Sequence, residues 1–121
     1  MMKKFILMGI IALVFAGCGD KDKNQSPTCK ITSPQNGAEI TVNPYDEIKI
    51  AVLAEDKDGT IAEVQLYIND VGFHSKTEWP YNFYANSSLT EGLNTIKAVA
   101  KDDKGATAES SIVITVVRTN N

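Results

Sequence analysis

Cysteine and histidine are nearly missing from this chain of 121 residues, which has two cysteines, Cys18 and Cys29, and one histidine, His74. One histidine cannot build a His-rich zinc or copper site. No serine or cysteine nucleophile has a credible base beside it in the sequence, so no catalytic constellation is expected and the chain reads as a non-enzyme. Apolar runs are short: the longest covers residues 5–15, whereas a bilayer-spanning helix needs about 20 residues. Basic residues are outnumbered, 12 against 15 acidic ones. That balance argues against nucleic acid and against electrostatic adsorption to anionic lipid. Beyond Phe15 there is no convincing helical period, and no internal repeat is visible.

What is present at the start is an export signal. Lys3 and Lys4 precede the apolar run, which stops at Ala16-Gly17-Cys18. Positive charge before a short apolar segment orients it in the export machinery. Small residues at Ala16 and Gly17 let a peptidase and a lipid transferase approach the backbone. The Cys18 thiol can take a diacylglycerol as a thioether. The segment resembles the lipobox of bacterial lipoproteins, with Phe15 where that family usually has Leu. The resemblance implies that residues 1–17 are removed and that lipid on Cys18 holds the protein to a membrane. The plainer alternative is a secretory signal cut after Ala16, with Val14 and Ala16 in the small-residue pockets. Gly19 follows the cysteine, so an acidic inner-membrane retention residue is absent there, and an outer-membrane location in the cell envelope is the expectation, with surface exposure as a further option.

Removing residues 1–17 leaves 104, enough for one domain with its own core. Losing Lys3 and Lys4 takes the 12 basic residues to 10 against 15 acidic ones, a net of −5. With Cys18 lipidated, Cys29 has no partner in the chain, which excludes a disulfide-stapled fold and leaves a buried, inert thiol as the plain reading. Residues 18–27 are polar, end at Pro27 and read as a lipidated tether; extended, the nine residues 19–27 reach about 30 Å. The domain is expected over residues 28–118, with 119–121 a short tail and no companion domain.

The domain alternates. Segments 29–33 and 38–42 flank Pro34 and Asn36-Gly37 and are taken together as one interrupted strand. Segment 47–55 puts Ile48, Ile50, Val52 and Ala54 on one face, and Asp58-Gly59 turns the chain. Segment 61–69 points Val64, Leu66 and Ile68 inward. A hairpin turn over 69–72 leads to 73–77, and Pro80 opens 81–86. Ile96, Ala98 and Ala100 are in phase within 93–101; Ile112, Ile114 and Val116 are in phase in the last strand. Seven short strands with one apolar face each predict an all-β sandwich of antiparallel sheets.

The order and spacing of several motifs then resemble the bacterial immunoglobulin-like domains of secreted and surface proteins. They are Ile31-Thr32-Ser33-Pro34 with Asn36-Gly37, residues 54–61, Val64-Gln65-Leu66-Tyr67, Pro80-Tyr81-Asn82-Phe83, Gly92-Leu93-Asn94-Thr95 and residues 98–102. The resemblance covers about residues 29–117. It implies an Ig or fibronectin type III-like sandwich that serves as a binding, adhesion, assembly or spacer module and carries no catalytic residues.

Two candidate sites follow. The turns containing Asp56, Asp58, Asp102 and Asp103 should share one pole, and hard cations such as Ca²⁺ take about six to eight oxygens. Plain turn chemistry, with Lys57 and Lys104 offsetting the charge, explains the same residues. The first strand should begin at that pole, which would face the membrane; Asn43-Pro44-Tyr45 and residues 87–92 would face outward. Trp79 and Tyr84 offer aromatic rings for stacking on a glycan. The alternative is that Trp79, which shares the alternation of Tyr81 and Phe83, plugs the end of the core with Tyr81. The partners expected are therefore the membrane, through Cys18, and an unidentified envelope protein or glycan.

Overall fold

Pro34 and Gly37 divide the first alternating segment into two strands that belong to different sheets. Pro34 has no N–H for a ladder, and Gly37 takes φ = +86°, a conformation that favours glycine. The structure, a computed structural model, describes residues 23–119. Cys18, the signal before it and the Asp20 and Asp22 positions lie outside those residues.

The strands are β1 (Thr28–Ser33), β2 (Glu39–Val42), β3 (Ile48–Glu55), β4 (Ile61–Ile68), β5 (Val71–Lys76), β6 (Tyr81–Ala85), β7 (Gly92–Asp102) and β8 (Thr107–Arg118). They form a three-stranded sheet, β1-β3-β6, and a five-stranded sheet, β2-β8-β7-β4-β5. The all-β sandwich expected from alternation is what the chain forms. It differs in detail: eight strands replace seven, and one pairing is parallel. β1 runs antiparallel to β3 with Thr28 opposite Glu55, whereas β2 runs parallel to β8 with Ile40 opposite Val116. The crossover is fastened to β8. Gly37 N donates to Val113 O at 2.7 Å, and Val113 N donates to Asn36 Oδ1 at 2.9 Å.

Alternation places the core as read. Ile48, Ile50, Val52 and Ala54 are buried on one sheet, and Val64, Leu66, Ile68, Ile96, Ala98 and Ala100 on the other. The turn after β4 is tighter than the expected 69–72. Asn69 (φ 53°) and Asp70 (φ 69°) make it alone, and Ile68 pairs directly with Val71. Two positive φ values suit the right-handed twist of a hairpin, and Asn and Asp tolerate them. Small side chains at Ala98 and Ala100 leave room for β1: Cys29 Sγ donates to Ala98 O at 3.6 Å. Cys29 is half-buried, and burial is the main cause that raises its thiol pKa, with the Glu109 charge adding to it. This disfavours the thiolate that reaction requires.

The sandwich has two distinct ends. The near end holds the start of β1, the β3–β4 turn and the β7–β8 turn. The far end holds residues 43–47, the Asn69-Asp70 turn and residues 86–91. One buried amide organises the far end. Asn94 is 1% exposed. Its Oδ1 accepts from Asn69 Nδ2 and Thr90 N, both at 2.9 Å, and its Nδ2 donates to Thr90 O at 2.7 Å and Gly92 O at 3.1 Å. Arg118 clamps the same loop: Nη2 donates to Asn86 O at 2.7 Å and to Leu89 O at 3.1 Å.

Candidate functional site

Two turns meet at the near end because β4 and β7 are neighbours. Asp103 N donates to Thr60 O at 3.0 Å, and Ile61 pairs with Asp102. Asp102 is buried in this joint. Its Oδ1 accepts from Lys104 N at 3.0 Å and Ala106 N at 2.8 Å, and its Oδ2 accepts from Asn24 Nδ2 at 2.7 Å. The Asn24 amide and then these backbone N–H groups hold the Asp102 carboxyl below the usual carboxylate range, against the effect of burial.

Asp56 is in the opposite condition. Burial, followed by the nearby Asp58, Asp102 and Asp103 carboxylates, raises its pKa. Carboxylate oxygens of Asp56, Asp102 and Asp103 all lie within 4.8 Å of one another. Gly59 permits this approach: a Cβ there would sit 2.5 Å from Asp103 Oδ1 and 2.8 Å from Asp56 Oδ2. Of the four carboxylates picked out by sequence, three converge in this way. The fourth, Asp58, lies beside Asp56, whose pKa it raises, and accepts from Gln25 N at 2.8 Å. Asn24 was not among the sequence candidates. Nothing local marks it, since its partner Asp102 is 78 residues away.

The aromatics part company. Tyr81 is buried, as the core-plug reading expects, but Trp79 is 75% exposed. The alternation linking them stops at Pro80, because β6 begins only at Tyr81. Tyr84 is 51% exposed and pairs with Lys49 toward the far end, whereas Tyr81 pairs with Val52. The register thus places Tyr84 toward the far end, whereas Trp79 precedes Tyr81 on the side toward the near end. Beside Tyr84 a cavity of about 300 Å³ opens between the free edges of β5 and β6, lined by His74, Ser75, Lys76, Asn82, Phe83 and Tyr84.

At the far end, other apolar side chains stand in solvent: Tyr45, Val71 and Leu93. Val71 borders a cavity of about 290 Å³ shared with Ile68, Phe73, Ser88 and Thr90. The sequence reading singled out Tyr45 only as part of an outward loop. The signal for the others is an apolar residue out of phase with its strand's buried set, as Leu93 is with Ile96 and Ala98.

Comparison with known proteins yields a consistent picture. Residues 27–98 match the family described as bacterial Ig domain. No curated protein sequence matches the chain. Among solved structures, the fibronectin(III)-like modules of Clostridium thermocellum CbhA are similar at 26% identity and a TM-score of 0.66, covering 77% of this chain and 100% of that one. The Bacteroides ovatus mixed-linkage glucan utilization locus SGBP-B, solved in complex with a mixed-linkage heptasaccharide, is similar at 18% identity and a TM-score of 0.54. There the match covers 80% of this chain and 25% of that one. A structure of carbohydrate-binding modules from the β-sandwich superfamily matches at 21% identity and a TM-score of 0.57, over 80% of this chain and 36% of that one. These last two likenesses concern the fold alone.

Proposed function

This chain belongs to the bacterial Ig domain family, and we propose that it is a lipid-anchored cell-envelope protein whose single domain works by binding rather than by catalysis. One observation carries the reading: the start of the domain and its exposed apolar loop residues lie at opposite ends of the sandwich. The chain enters at the acidic near end, while Tyr45, Val71 and Leu93 stand exposed at the far end. Exposed apolar side chains offer area that a partner can cover. Asn24 and Gln25 are hydrogen-bonded to the near end. With lipid on Cys18, only residues 18–23 then separate the membrane from the domain, a reach of about 20 Å when extended. The far end would face away from the bilayer.

The anchor is tested by replacing Cys18 with alanine. The variant should leave the membrane fraction or remain uncut with its signal attached. A Cys18→Ala protein that is processed and still fractionates with membranes overturns the reading.

A second reading, glycan binding, is favoured by the exposure of Trp79 and Tyr84 and by the glycan-binding proteins among the similar folds. Trp79 is the only tryptophan in the chain, so intrinsic tryptophan fluorescence reports on that ring alone. If the ring stacks on sugar, soluble mixed-linkage glucan should shift or quench the emission in a saturable way. Emission that does not change across a panel of polysaccharides removes Trp79 from any glycan site.

A further inference from the structure

We propose that the groove between β5 and β6 takes an extended segment of another protein, which adds as a strand to the free edge of β6 and presents a carboxylate to Lys76. The two sheets have four edges, β1, β6, β2 and β5. Unpaired edges recruit further strands unless charge, proline or a bulge blunts them. Three of the four are blunted. On β1, Ile31 N donates to Ser110 Oγ at 3.1 Å, and the register with β3 shifts before Ser33. β2 opens on the exposed Glu39. β5 has a register shift against β4 and ends on Lys76. β6 carries none of these devices. Its five residues, Tyr81–Ala85, keep an unbroken register with β3 and include no charge and no proline.

The space beside that edge is shaped for a strand. Val71 pairs with Ile68 and Lys76 with Val64, both buried, so Val71 and Lys76 turn toward the gap between the sheets. Val71 is nonetheless 67% exposed, and Phe73 is only partly buried, because the three-stranded sheet stops short of β5. Residues 71–73 line the far-end cavity with Ser88 and Thr90, and residues 74–76 line the other with Asn82, Phe83 and Tyr84. All of β5 thus faces a groove whose opposite wall is β6 and the loop after it. Strand addition draws affinity from main-chain bonds and specificity from pockets for alternate side chains. A segment antiparallel to β6 runs from the far end to the near end. Its inward side chains meet Val71 and Phe73 first and Lys76 last. Among the described residues the ion pairs are Lys97–Glu109 and Lys101–Glu63, so Lys76 is free to take a carboxylate, and Glu78 in the following loop is not paired with it. The segment that fits therefore alternates, with two apolar residues followed by an acidic one. This rests on the reading that the domain works by binding, and not on the lipid anchor.

Titrating the purified full-length protein with the end-blocked peptide Thr-Val-Thr-Val-Thr-Glu-Thr tests the groove. Binding should be saturable and should slow amide exchange in residues 81–85. Lys76→Glu, at an exposed position, should weaken this peptide about tenfold, and a peptide with lysine in place of its glutamate should recover the loss. Val71→Asp should weaken both peptides and leave the melt unchanged. Leu93→Ala, on the outer face of β7, should bind as the parent does. Absence of saturable binding overturns the proposal, as does binding that leaves exchange in residues 81–85 unchanged or that tolerates Lys76→Glu. Binding lost in Leu93→Ala overturns the groove and leaves docking at the far end in place. Peptide-free protein that sediments as a dimer with residues 81–85 protected assigns the edge to a second copy. Displacement of the peptide by mixed-linkage glucan assigns the groove to sugar. Either result overturns a peptide partner.

Discussion

Replacing Leu66 by alanine is expected to destabilise the domain by about 3 kcal/mol, within the range of about 2–5 kcal/mol for such changes at filled sites. Leu66 is 0% exposed and lies on β4, between β7 and β5 in the five-stranded sheet. Its side chain points into the gap between the sheets, where the three-stranded sheet contributes Ile50 and Val52. Truncation loses the transfer free energy of the removed atoms and leaves a cavity that two pinned sheets cannot close. Domains of this size have about 5–15 kcal/mol in total. The melting temperature should therefore fall by about 10–20 °C. Leu93→Ala is the matched control. Leu93 is 71% exposed, so its truncation should change stability by about 0.5 kcal/mol or less. Equal losses at the two positions would mean that the inward and outward faces are wrongly assigned.

Asn94→Asp should be as damaging, although it changes almost no volume. The Nδ2 that donates to Thr90 O and Gly92 O would become an oxygen facing those two carbonyls at 2.7 and 3.1 Å. A buried ion with no donor on that side costs several kcal/mol, and a loss of about 3–5 kcal/mol is expected at neutral pH. Burial and the facing carbonyls would raise the introduced carboxyl's folded pKa above its unfolded value. With that sign, stability relative to the parent is greatest at acid pH and declines as pH rises through the folded pKa. Melts of parent and variant at pH 4 and pH 7 measure this. A deficit that is small, or larger at pH 4, would show that Asn94 is not the buried donor described. Faster amide exchange in residues 87–91 should accompany the loss, because Asn94 ties that loop to the Asn69 turn.

Sequence alternation was enough to read the inward faces of β3, β4 and β7, because a period of two is a local property. The sharing of one end by two acidic turns was also legible, since it follows from strand direction. What could not be read depended on partners remote in sequence. Segments 29–33 and 38–42 looked like one strand because both alternate; only their separate pairings, with β3 and β8, show that they are two. The core-plug alternative for Trp79 failed because the alternation was carried across Pro80, where the strand had not yet begun. Asn24 looked like solvated tether because its partner is far along the chain. Asn94 was the miss that could have been avoided. It stands in phase with Ile96, Ala98 and Ala100, and a polar residue in a buried phase requires bonding partners.

The parallel pairing of β2 with β8 has a mechanical consequence. β1 starts at the near end, and β8 finishes at the far end with Val42 opposite Arg118. Tension between the two ends therefore runs along the strands and pulls β2 and β8 in opposite directions. The bonds between them, extended by Thr119 N to Val42 O at 2.9 Å and Thr115 N to Ala38 O at 2.9 Å, are loaded together in shear. They cannot be unzipped one at a time. A partner tugging on the far end while the other is held would meet this short patch as a single latch.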